Sequence, residues 1–147
     1  MLAEYFLEQH PKLDKSKVFE LILFHDVVEI EAGDTPMAPG VSREEKMQKE
    51  KDAAISISKK LPKEFGKKYL GFFEEFEEAK TPEAKFTKAI DAFDAKLHEM
   101  DYKKDWKGWT EGFLIKSKEK YFIDFPILKK AFEETTKYAK DNGYFNQ

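Results

Sequence analysis

The chain has 147 residues, with 26 Lys+Arg against 29 Asp+Glu and a net charge of −3, a length suited to one domain with its own core and a balance unsuited to gripping nucleic-acid phosphates. It contains no cysteine, which excludes a disulfide framework, a CxxC redox pair and thiolate metal sites. No apolar run approaches the length of a membrane span, and the N-terminus MLAEYFLEQHPK lacks the basic n-region and cleavage site of a signal peptide. A cytoplasmic protein is expected, with neither nucleic acid nor membrane as partner.

Helical periodicity runs from end to end, and no strand alternation competes with it. Met1 to about Gln9 is apolar at Leu2, Tyr5 and Phe6 and reads as the tail of a helix. Asp14 is placed to cap a helix over Ser16 to Glu31, which carries Val18, Leu21, Ile22, Phe24, His25 and Val28. Ala32–Pro36 breaks it, and Met37 to Val41 is a Pro/Gly loop. Ser42 and Glu45 fit a capping box that opens a helix to about Lys60. Pro62 falls in the first turn of the next helix, which reaches about Ala79 with Tyr69, Phe72, Phe73 and Phe76 on one side. Thr81–Pro82 starts a helix with Phe86, Ile90, Phe93 and Leu97 on its apolar face. Trp106–Trp109 leads into Thr110–Tyr121, and Pro126 begins a last helix ending at Asn142–Gly143. The Arg43–Lys51 charge run, with both signs mixed, reads as a solvated helix face. Aromatics recurring at helical spacing are core.

The chemistry concentrates in Leu21–Pro36. His25 and Asp26 follow four apolar residues and precede two more. Burying an imidazole and a carboxylate is costly unless they are paired or hold a cation, and a divalent ion accepts both as ligands. Glu29 lies four residues after His25 and three after Asp26, on a shared helical face. Asp34 follows Gly33 in a turn that can return its carboxylate to the same end. One carboxylate can then deprotonate water while another serves the leaving oxygen. Far along the chain, Asp91 borders the apolar face of its helix, and Asp94 follows it at i+3.

The stretches LILFHDVVEIEAGDTP and EAKFTKAIDAFDAKL together resemble the HD-domain metal-dependent phosphohydrolases, in the branch containing the bacterial 5′-deoxynucleotidases and their eukaryotic relatives. The resemblance covers about residues 1 to 102. It implies a compact all-α bundle of about six or seven helices, a single HD domain over 1–147. It also implies removal of the 5′-phosphate from a deoxynucleoside monophosphate, a small-molecule nucleotide substrate. His25, Asp26 and Asp91 match the metal ligands, Glu29 the carboxylate beside the reacting water, and Asp34 a residue of catalysis and substrate contact. The implied cofactor is a divalent metal ion, Mn²⁺ or Co²⁺ first, with Mg²⁺, Zn²⁺ and Fe²⁺ as alternatives. A homodimer fits the same family.

The family pattern begins with one more metal histidine, on a helix upstream of the HD pair. Of the three histidines, His10 reads as a surface loop residue. His98 stands seven residues beyond Asp91, ~10 Å along a helix and too far to share its ion. The chain therefore reads as N-terminally truncated relative to the family, and with one imidazole fewer it is expected to hold its metal weakly and to hydrolyse poorly. The alternative function is an inactive HD-like module, or a fragment that self-associates through an uncovered apolar groove at Leu2, Tyr5 and Phe6. Lys85 and Lys88, the cations nearest Asp91, read as solvated. A (p)ppGpp or cyclic-dinucleotide hydrolase ranks below the nucleotidase.

Overall fold

The computed structural model describes residues 1–34 and 42–146. Among them every regular element is helical: α1 (Leu2–Leu7), α2 (Lys15–His25), the single turn α3 (Glu29–Ala32), α4 (Arg43–Lys60), α5 (Lys63–Glu78), α6 (Pro82–Glu99), α7 (Glu111–Lys118) and α8 (Pro126–Asp141). Short 3-10 turns occupy 26–28, 103–106, 119–122 and 144–146. The all-α class read from the periodicity is the class that forms. The loop expected over Met37–Val41 lies outside the described residues.

Helices start where the capping residues stand. Asp14 Oδ1 accepts from the Lys17 N–H at 3.1 Å, Ser42 Oγ from Glu45 at 3.3 Å, Thr81 Oγ1 from Ala84 at 3.2 Å and Thr110 Oγ1 from Phe113 at 3.1 Å. Each satisfies an N–H that the helix itself leaves without a partner, a contribution of about 1 kcal/mol. Pro62 sits just before α5 as its cap rather than inside the first turn.

The chain forms two compact units, one of Leu13–Thr87 and one of Met1–Lys12 with Lys88–Gln147. In the first, α4 and α5 pack as an antiparallel pair around Val28, Ala53, Ala54, Ile57, Tyr69 and Phe73. A second cluster joins Leu21, Phe76 and Ala84. The α4–α5 contact is close because of one glycine. A Cβ at Gly66 would lie 2.2 Å from the Ser58 carbonyl oxygen. Tyr69 is 1% exposed, and burial pushes its phenol up to about 12.

In the second unit, rings run from Phe6 to Phe93 (6.2 Å), on to Phe122 (6.5 Å) and to Phe132, stacked at 4.7 Å. Phe6 is thus buried while Tyr5 is exposed, so the apolar residues of α1 do not lie open together as a groove. Leu97, expected on the apolar face of α6, is 36% exposed. Its neighbour Lys96 is instead the buried member of that turn, only 2% exposed. The Lys96 ammonium pairs with Glu99 and lies over the Trp109 ring at 3.5 Å and the Trp106 ring at 5.1 Å. Burial pulls its pKa down, opposed by the Glu99 hydrogen bond. The Trp106 indole N–H donates to the Glu99 carbonyl at 3.0 Å.

Candidate functional site

His25 closes α2, and the chain then tightens into a 3-10 turn over Asp26–Val28 before α3 begins at Glu29. The continuous helix expected over Ser16–Glu31 is therefore interrupted at the His-Asp step. The cause is local. The His25 Nδ1 lies 2.7 Å from the Ile22 carbonyl oxygen, an acceptor that an α-helix would offer to the Asp26 N–H. The Asp26 N–H turns to the Phe24 carbonyl instead, and Asp26 sits at φ −85°, ψ −4°. This is the sparsely populated bridge region of backbone space.

That contact also fixes the imidazole tautomer. A carbonyl oxygen only accepts, so Nδ1 carries a proton and donates it to Ile22. The ring is further held against Phe76, with centroids 4.8 Å apart. Nε2 then faces Asp26 Oδ1 at 3.0 Å. In the neutral ring two lone pairs confront each other there, a repulsive arrangement unless a positive charge lies between them. Two donors bound at right angles to one ion, at about 2.1 Å each, stand about 3 Å apart. The pair therefore fits a divalent cation, with the Nδ1–H···O=C bond as the outer support such histidine ligands use. The His25 side chain is 11% exposed and Asp26 65%, one donor anchored in the fold and one at the water boundary.

Glu29 is half-buried at the first turn of α3. Gly33 ends that turn at φ +75°, a left-handed conformation that favours glycine, and its N–H donates to the Glu29 carbonyl at 2.9 Å. Burial pushes the Glu29 carboxyl above the usual carboxylate range. The charges of Asp26, Asp34 and Glu50 add to the rise, while Lys46 opposes it. The fold thus brings Asp26 and Asp34 within electrostatic reach of Glu29. A carboxylate of raised basicity is suited to taking a proton from water near neutral pH.

The same shift makes a stability prediction. A carboxyl whose folded-state pKa exceeds its unfolded one binds its proton more tightly when folded. Stability therefore falls as pH rises from the unfolded pKa through the folded one. Above both, the ionised group is a net cost. Glu29→Gln is expected to raise Tm at neutral pH, with the gain shrinking to nothing in acid, where the wild-type carboxyl is protonated. Calorimetric melts from acid to neutral pH check this.

Asp91 lies on α6 in the other compact unit, with an exposed side chain, as does Asp94. Among the described residues no three His, Asp or Glu side chains are gathered into a ready-made metal site. His98 and Lys85 are exposed and Lys88 is half-buried. His10 departs from its surface reading: its ring meets Phe125 edge-on at 5.3 Å, and burial lowers its pKa. Among the described residues no helix is long and apolar enough to cross a membrane.

A family model described as the HD domain matches residues 1–134. The chain belongs to the HD-domain family. The relatives of this HD domain include the 5′-deoxynucleotidase HDDC2 of Dictyostelium discoideum, 36% identical over 97 residues, which make up 66% of this chain and 51% of that protein. HDDC2 of Danio rerio is 29% identical over 139 residues, 92% of this chain and 70% of the relative. Among solved structures, a predicted metal-dependent phosphohydrolase from Magnetospirillum magnetotacticum MS-1 matches with a TM-score of 0.77 and 25% identity, over 97% of this chain and 77% of that chain. The chain spans about half the length of several curated relatives, 51% for both the Dictyostelium and the Xenopus laevis protein.

Proposed function

We propose that this chain is a metal-dependent phosphomonoester hydrolase that removes the 5′-phosphate from (deoxy)nucleoside monophosphates, with both compact units forming one HD domain. The observation that carries the reading is the His25–Asp26 pair, its tautomer fixed from Ile22 and its two donor atoms 3.0 Å apart. The names of the Dictyostelium and Danio relatives support the nucleotide as substrate.

In this reading His25 Nε2 and the Asp26 carboxylate would hold the ion, with Asp91 as the third donor that the family resemblance implies. A divalent cation, Mn²⁺ or Co²⁺, supplies Lewis acidity toward the phosphate oxygens and toward water. Glu29 takes the proton as the water oxygen bonds to phosphorus. The bond from phosphorus to the 5′-oxygen breaks, and Asp34 serves the leaving sugar oxygen or contacts the nucleotide. His25 itself moves no proton, because its Nδ1–H stays on the Ile22 carbonyl.

The test is phosphate release from dAMP, dGMP and their ribonucleotide counterparts, with Mn²⁺ or Co²⁺ titrated into protein stripped by chelator. Release that appears with metal and disappears with EDTA is expected. Protein that binds the ion stoichiometrically yet releases phosphate from none of these substrates overturns the proposal.

A further inference from the structure

The charge run at the start of α4 is not uniformly a solvated face. Every residue from Ser42 to Asp52 is exposed except Lys46 and Glu50, whose side chains are 21% and 15% exposed and stand 3.5 Å apart. These two continue the stripe of Ala53, Ala54 and Ile57, the face that α4 buries. That face packs against the 26–28 turn and α3. Glu31 of α3 pairs with Lys60 at the far end of α4, at 2.9 Å, and toward the start of α4 both Lys46 and Glu50 act electrostatically on Glu29.

Local helix energetics do not account for this pair. A lysine preceding a glutamate at i, i+4 is the weaker order. A cation near a helix N-terminus opposes the macrodipole. Partly burying a lysine adds desolvation. A tertiary partner must offset these terms, and the partner at hand is a concentration of negative charge. Asp26, Asp34 and Glu50 all repel the Glu29 carboxylate. Without a cation, that side chain would relieve the repulsion by rotating toward water.

We propose that Lys46 is a positioning residue for the hydrolysis: clasped by Glu50, its ammonium holds the Glu29 carboxylate in place beside Asp26 and Asp34. This rests on the reading of Glu29 as the group that takes the proton from water. Lys46 acts through Glu29 and not on the substrate, since its ammonium stands 3.5 Å from the Glu50 carboxylate and its side chain is only 21% exposed.

The test compares K46M, K46R and E50Q with wild type in metal-dependent hydrolysis of dAMP. Misplacing a proton acceptor costs turnover more than binding, so K46M is expected to lower kcat at least ~10-fold while KM moves less than ~3-fold. K46R, which keeps the charge, recovers most of kcat, and E50Q loses less than K46M. A raised KM with kcat intact marks a direct phosphate contact and overturns the proposal, as does a kcat unchanged in K46M. A second measurement needs no turnover: urea unfolding of K46M, E29Q and the double variant. The stability loss from K46M is expected to be smaller in the E29Q background than in wild type. Strictly additive effects overturn the contact. A wild-type protein that releases no phosphate sinks the hydrolysis reading, and the unfolding cycle then decides the Lys46–Glu29 contact alone.

Discussion

Asp26→Ala is expected to abolish metal-dependent phosphate release and to weaken Mn²⁺ binding by at least ~100-fold, beyond the loss that even an outer support of a ligand brings. It should do so with little effect on folding. The side chain is 65% exposed, and replacing an exposed residue usually shifts stability by no more than about 0.5 kcal/mol. The turn is set by His25 on Ile22 and by the backbone, neither of which the substitution touches. Asp26→Asn makes a sharper comparison, because it keeps the shape and removes the charge that the ion requires. Phosphate assays, isothermal titration with Mn²⁺ and far-UV circular dichroism on the same preparations check the three parts. Phosphatase activity that survives Asp26→Ala would mean the reaction occurs elsewhere in the molecule.

The largest structural effect is expected at Gly66. Helix propensity alone says that alanine should stabilise an interior helix position by roughly 0.5–1 kcal/mol. Geometry says the opposite, because the added Cβ would sit 2.2 Å from a backbone carbonyl oxygen, with the carbonyl carbon at 3.1 Å. Neither atom can rotate aside. α5 must move away from α4, and the cluster between them, with Ala54, Ile57 and Tyr69, must loosen. Gly66→Ala is therefore expected to cost at least ~3 kcal/mol, which at this chain length lowers Tm by about 10 °C. Gly71 supplies the control. It lies in the same helix, and nothing stands within 4 Å of where its Cβ would be. Gly71→Ala should leave Tm unchanged or slightly raised, so opposite signs at the two glycines isolate the carbonyl contact as the cause.

The parts of this molecule that follow from short-range chemistry are readable in its sequence. Asp14, Ser42 and Thr81 each accept the backbone hydrogen bond that their positions before apolar runs suggest, and Thr110, read as the first residue of its helix, is the cap instead. The spacing of Glu29 and Gly33–Asp34 after His25–Asp26 likewise brings three carboxylates into one electrostatic neighbourhood. What the sequence hides is whatever a distant segment decides. Nothing in Arg43–Lys51 distinguishes Lys46 and Glu50 from the charges around them until α3 covers their side of the helix. Lys96 stands beside Leu97, which reads as the apolar residue of that turn, and only the folding back of Trp106 and Trp109 makes the lysine a core residue. The 3-10 step at Asp26, where an imidazole meets a carbonyl one turn back, is something apolar periodicity does not register. Gly66 reads as an ordinary weak point in a helix, because its neighbour Ser58 belongs to another one.

The burial of Lys96 between two indoles has a practical side. The chain has two tryptophans, and both flank this one ammonium in the unit that includes Lys88–Gln147. Intrinsic indole emission is therefore a gauge of that half of the molecule alone. Events around the imidazole at position 25 fall in the half with no such fluorophore. A signal followed at tryptophan wavelengths reads the surroundings of Lys96 directly, whereas a probe of total helix content reads every helix at once.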